Sequence, residues 1–139
     1  MALLVGACAC SHEVSRVPSP SGKAAAVLVE TNGGATTSFG YEVYVLPEGA
    51  SWRWADRAAF LYGTTRNDSA YGANLRWVSS DLVRVEYLQS QSAAVERPST
   101  KVGDLDVRVE LRGGIEDPSA PPDSMLYNLE GRPYDQAPN

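Results

Sequence analysis

The chain is poor in the groups on which much protein chemistry relies: it has one histidine, His12, and two cysteines, Cys8 and Cys10, in 139 residues. A lone imidazole, set in a polar stretch just after an apolar N-terminus rather than among the strands, leaves no Ser-His-Asp triad to build on the core. Two cysteines cannot complete a four-thiolate zinc site, and His12 adds a third ligand at a spacing that fits zinc motifs poorly. Nor can they staple a scaffold, since no cysteine follows Cys10. No metal and no cofactor is expected.

Long apolar runs and clustered cations are missing as well. No stretch of about 18 apolar residues is present to span a bilayer as a helix. Seventeen acidic residues against twelve basic ones leave a formal charge of -5, and Lys and Arg gather nowhere into the patch that neutralising phosphates requires. Nucleic acid is therefore not an expected partner. What is present is an ordinary globular composition, 43% hydrophobic and 21% charged, in a chain of single-domain length.

Its apolar residues follow the grammar of strands. "KAAAVLVE" (Lys23 to Glu30) is bounded by Pro20-Ser21-Gly22 and Asn32-Gly33-Gly34. "YEVYVL" places Tyr41, Val43 and Val45 on one face and Glu42, Tyr44 and Leu46 on the other. "RAAFLYG" is ambiguous by period and is assigned to a strand. "ANLRWV", a short polar loop and "LVRVEYL" read as a hairpin, and "DLDVRVELR" alternates cleanly, with Leu105, Val107, Val109 and Leu111 together. Half-buried alternation belongs to antiparallel sheets, and no amphipathic helix pattern interrupts it. The expectation is an all-β fold: a single antiparallel sheet or a small β-sandwich of about five to six strands.

That domain is expected over residues 23–112. Residues 1–22 read as a leader and tether, and residues 113–139 as a Pro-rich tail in which "SMLYNLEG" could dock one short turn or strand. In the leader, "VGAC" (Val5 to Cys8) resembles a bacterial lipobox, which implies lipidation of Cys8 and a cell-envelope location, periplasmic or at the outer surface. The basic and apolar portions of a secretory leader are both cut short here, as a misplaced start codon would leave them. The alternatives are a frayed apolar terminus or a small Cys-x-Cys element. Membrane association is then expected through the lipid anchor alone.

Two stretches are candidates for binding. The loop "TNGGATTSFG" (Thr31 to Gly40) exposes hydroxyls and glycine amides suited to an anion nest, with Thr36, Thr37 and Phe39 as its candidate contacts. It lacks the Lys and helix N-terminus of a phosphate loop, and a long hairpin connection is its simpler reading. In "SWRWADR", Trp52 and Trp54 stand two apart, which on an extended segment puts both rings on one side. Such a pair stacks on a sugar, anchors a protein interface, or covers the edge of a core. Carboxylates are plentiful, yet none has Ca²⁺-loop spacing, and Glu86 and Glu110 fall on the solvent side of their strands. No catalytic residue is assigned.

"SPSGKAAAVLVE" and "LRWVSSDLVRVEY" resemble the strand-turn-strand opening of β-propeller blades. A propeller needs at least four blades of about 40 residues, and this chain has room for three at most. Ser19 to Val45 and Arg76 to Tyr87, about half of the chain, resemble more closely small uncharacterised bacterial proteins, often lipoproteins, with an "SPDGK…GATT…W…D…L-V-Y" pattern. Where those carry Cys before "GATT", this chain has Gly33. The resemblance implies a fold and a compartment and carries no reaction. The expected function is a non-catalytic envelope (lipo)protein that binds a protein partner, as an accessory subunit or an immunity or inhibitor protein. The alternative is small-ligand or carbohydrate binding, with hydrolysis behind it, at the Trp52, Trp54 and "GGATT" surface.

Overall fold

The computed structural model describes residues 10–32, 39–64 and 72–120. They form an all-β fold of two sheets packed face to face. Nine strands run β1 (Cys10–Pro18), β2 (Ala24–Asn32), β3 (Phe39–Pro47), β4 (Ala59–Tyr62), β5 (Ala73–Ser79), β6 (Leu82–Tyr87), β7 (Ser92–Val95), β8 (Ser99–Val102) and β9 (Leu105–Arg112). The first sheet has the order β1-β2-β3-β4-β7 and the second β5-β6-β9-β8.

The core between the sheets follows the period of two. From the first sheet come Ala24, Ala26 and Leu28 of β2, Tyr41, Val43 and Val45 of β3, and Ala59 and Leu61 of β4. Facing them are Leu75, Val83, Val85, Val102, Val107 and Val109 of the second sheet. The sheets are also joined by a polar contact: the indole Nε1 of Trp77 donates to the carbonyl of Val17 at 2.9 Å, tying the edge strand β5 to the edge strand β1.

β2 and β3 are buried on both faces. On the side away from the main core, Val27, Val29, Tyr44 and Leu46 form a second apolar cluster, with Ala50, Trp52 and Ala55 packed on it. This is why "AAAVLV" reads as a continuous apolar run rather than an alternating one. A strand flanked by neighbours on both edges and covered on both faces has no wet side to encode.

Several expectations change here. β1 (Cys10–Pro18) lies within residues 1–22, expected as leader and tether, and His12 lies in it, 3.7 Å from the buried Glu30 of β2. The strand was hidden because the register shifts between Glu13 and Ser15, a bulge that lets Val14 and Val17, three apart, both pack on the core. Nine strands are present among the described residues, where about five to six were expected within an all-β fold. β7 and β8, four residues each, were missed because each buries only one or two apolar side chains. They also set a direction. After β6 the chain crosses to the first sheet as β7, returns as β8, and brings β9 in parallel to β6, the single departure from antiparallel pairing among the described strands. The start of the expected tail is ordered as well. Gly114 and Ile115 donate to the carbonyls of Leu88 and Tyr87, and Asn74 Nδ2 donates to Asp117 at 2.8 Å.

Gly72 enters β5 with φ +112°, and a Cβ there would stand 2.1 Å from the Tyr41 hydroxyl. Two substitutions test this architecture by urea denaturation. Leu28→Ala empties a fully buried site between the sheets and is expected to cost about 2–5 kcal/mol. Gly72→Ala is expected to lower the midpoint through both strain and overlap, whereas Gly103→Ala, at a turn with open space, meets only the strain of its positive φ.

Candidate functional site

The chain leaves β3 at Pro47, turns at Gly49, and folds back over the outer face of the first sheet as a single 3-10 turn, Trp52–Trp54. Ser51 starts that turn by accepting from the Arg53 amide through its side chain at 3.2 Å, and the Ala55 amide closes it on the Trp52 carbonyl at 3.0 Å. A turn of three residues per revolution rotates side chains at i and i+2 well apart. The two tryptophans therefore do not share a side, as an extended segment would have required. Trp52 packs down on the second cluster, its ring 5.7 Å from that of Tyr44, while Trp54 projects outward at 95% exposure.

The platform under Trp54 is braced by charge. The Arg53 guanidinium lies over the Trp52 ring, 4.8 Å from its centroid. Arg57 is gripped by two carboxylates, Glu42 at 3.0 Å and Glu96, and rests on the Phe60 ring. The hydrogen bond to Glu96 is the largest influence on its pKa and raises it further above the ordinary guanidinium value. Arg97 pairs with Asp56 at 2.9 Å, and the amides of Glu96 and Arg97 both donate to the Ala58 carbonyl. β7 thus locks the segment that follows the turn. Glu42, Arg57 and Glu96 were missed in the sequence because 15 and 39 residues separate them and no motif has that spacing.

Tyr44 joins this network as a donor to Glu42 at 3.3 Å. Burial, then the neighbouring Glu42 carboxylate, pushes its phenol up to about 12. It stays protonated at neutral pH and acts there as a hydrogen-bond donor. The arrangement as a whole offers one exposed indole beside paired charges, with Arg53 held over the Trp52 ring. That is the chemistry of stacking or of filling a partner's pocket.

Phe39, the other expected contact among the described residues, is placed elsewhere. Phe39 opens β3, and its backbone pairs with Asn32; Pro47 at the other end of β3 pairs with Ala24. Nine residues of strand therefore separate Phe39 from the chain that leads into Trp52, a span of roughly 25 Å. Thr36 and Thr37 lie outside the described residues, between the paired Asn32 and Phe39. Phe39 and the tryptophan turn therefore lie toward opposite ends of β3. Cys8 also lies outside the described residues.

The outer face of the second sheet carries a different pattern. Glu86 was expected on the solvent side but is buried between Arg76 at 3.0 Å and Arg84 at 4.0 Å, and Arg84 also holds Glu110 at 2.6 Å. That hydrogen bond keeps the Glu110 carboxyl below its usual range. An open cleft of about 310 Å³ lies between Lys23, Pro47 and the β8–β9 turn, without either tryptophan in its wall. Among the described residues no group of three or more His, Cys, Asp or Glu could hold a metal ion. No family model, curated protein or solved structure matches the chain.

The raised phenol pKa has a sign. The folded chain holds the Tyr44 proton more tightly than the unfolded chain, so this contribution is complete below the ordinary value of 10.0 and is lost as pH climbs from there toward about 12. Stability measured by denaturant titration across that window is expected to fall more steeply in the wild type than in Tyr44→Phe. Equal slopes would show that the phenol titrates normally.

Proposed function

We propose that the chain is a non-catalytic, envelope-associated domain, lipid-anchored through Cys8, that binds a protein partner by inserting Trp54 into it. The observation that carries this reading is the exposure of Trp54 on a base that is otherwise fully engaged. Leaving a large indole in water is costly unless something covers it, and an exposed tryptophan on a fixed support is the usual form of an interface anchor. The rigid base adds to affinity, because little conformational entropy remains to be lost on binding.

Neutralised pairs hold the chain that follows the turn. Arg57 with Glu42 and Glu96, and Arg97 with Asp56, form a polar rim whose charges are satisfied before any partner arrives. Arg53, stacked on Trp52, is the cation nearest in sequence to Trp54 and suits an acidic group on the partner's rim. A sugar would stack on the same indole. A projecting ring, however, fits a pocket on another surface better than it forms one of its own. An accessory subunit and an immunity or inhibitor protein are the roles that match such a surface.

Affinity purification of the tagged full chain from its host is expected to recover one stoichiometric protein, lost on Trp54→Ala and weakened by Arg53→Glu. Trp54→Ala should leave the unfolding midpoint nearly unchanged, since its side chain packs on little. Trp52→Ala should lower that midpoint, because its ring covers the second cluster. Undiminished recovery with Trp54→Ala would move the interface elsewhere. Intact-mass measurement of membrane-extracted protein should show a diacylated N-terminal cysteine that Cys8→Ser abolishes, and an unmodified wild-type mass would defeat the anchor.

A further inference from the structure

The strand register relates the proposed anchor to the proposed binding corner. Cys10 pairs with Asn32, and Asn32 pairs with Phe39, so these three mark one end of the first sheet. Tyr62, paired with Gly40, lies at the same end. Tyr44, on which the Trp52 ring packs, is paired with Val27, and Val27 with Arg16. From Asn32 to Val27 is five residues of extended chain, about 17 Å along the sheet. A single residue, Ala9, separates Cys8 from the first residue of β1. Two residues of chain reach at most about 7 Å.

We infer, resting on the lipid-anchored reading above, that the domain stands on its Cys10 end and presents Trp54 to the aqueous side, so that its partner is a protein meeting it off the anchoring bilayer and not the bilayer itself. A spacer this short brings the Cys10 end of the sheet against the headgroups. The outer face of the first sheet carries no cluster of free cations to draw it down flat: Arg53, over the Trp52 ring, is the one described cation beside the turn that no carboxylate pairs, and a single cation is drawn only weakly to an anionic surface. The cations Arg16, Arg57 and Arg97 of this face are each paired with a carboxylate, respectively Glu13, Glu42 with Glu96, and Asp56. Attraction to an anionic leaflet needs a cluster of free basic residues, which this face lacks among the described residues. The corner is therefore held above the surface, where the aromatic ring meets solvent-borne protein rather than headgroups.

Chemical tethering tests the orientation directly. Full-length protein carrying Cys10→Ser keeps Cys8 as its only thiol, and can be coupled to phosphatidylcholine vesicles that contain a maleimide-headgroup lipid. Replacing part of the phosphatidylcholine by a brominated form then quenches indoles that lie in or near the bilayer. The tethered protein and its Trp54→Phe variant are expected to be quenched equally. A Tyr62→Trp variant, with its added ring at the Cys10 end, is expected to be quenched more. Quenching that disappears with Trp54→Phe would place the ring in the membrane interface and overturn the inference. This outcome is separate from that of the mass measurement in the host, because the chemical tether forms whether or not the cell lipidates Cys8.

Discussion

The β2–β3 hairpin is buried on both of its faces, and the rest of the fold is arranged to satisfy that demand. One face of the hairpin packs on the second sheet through Leu28, Tyr41, Val43 and Val45. The other presents Val27, Val29, Tyr44 and Leu46, too much apolar surface to leave in water. The chain meets this by turning back after Pro47 and laying Ala50, Trp52 and Ala55 over it. The corner that displays Trp54 is a consequence of this covering: once Trp52 is pinned face down, a 3-10 turn carries the ring two residues later outward.

Charge is used in this protein mainly to hold segments in place. Arg57 joins β3 to the segment just after β7, Arg97 returns to Asp56, and Arg84 bridges Glu86 and Glu110 on neighbouring strands of the second sheet. Exposed pairs of this kind contribute little each to stability. Their effect is geometric, since Arg57 and the Arg97–Asp56 pair fix the chain that follows the 3-10 turn. A binding surface on a domain this small gains from such bracing, because a mobile anchor loses affinity to ordering.

The strands with a clean period of two, or with a wholly apolar run between turn residues, were legible: β2, β3, β5, β6 and β9 all fall where alternation and punctuation placed them. β4 was legible only as an apolar run. β1 was hidden by a bulge that broke its alternation, and β7 and β8 by their length, since four residues with one or two buried side chains carry almost no periodic signal. The candidate site was half visible. Two tryptophans two apart drew attention to the right corner, but their separation in space depended on a turn that local sequence left open. Joining them to Phe39 did not hold, because the strand β3 keeps Phe39 at its other end.

By itself the sequence determined the all-β class, the main core residues and the importance of the segment around Trp52 and Trp54, because hydrophobic period and turn chemistry are local properties of the chain. Only the tertiary structure decided that β9 runs parallel to β6, that Glu42, Arg57 and Glu96 converge, and that Trp52 packs on the second cluster while Trp54 projects into solvent. Those outcomes depend on which strands become neighbours and which face of a sheet still needs cover. Both are settled by packing between residues far apart in the chain, where no local pattern reaches.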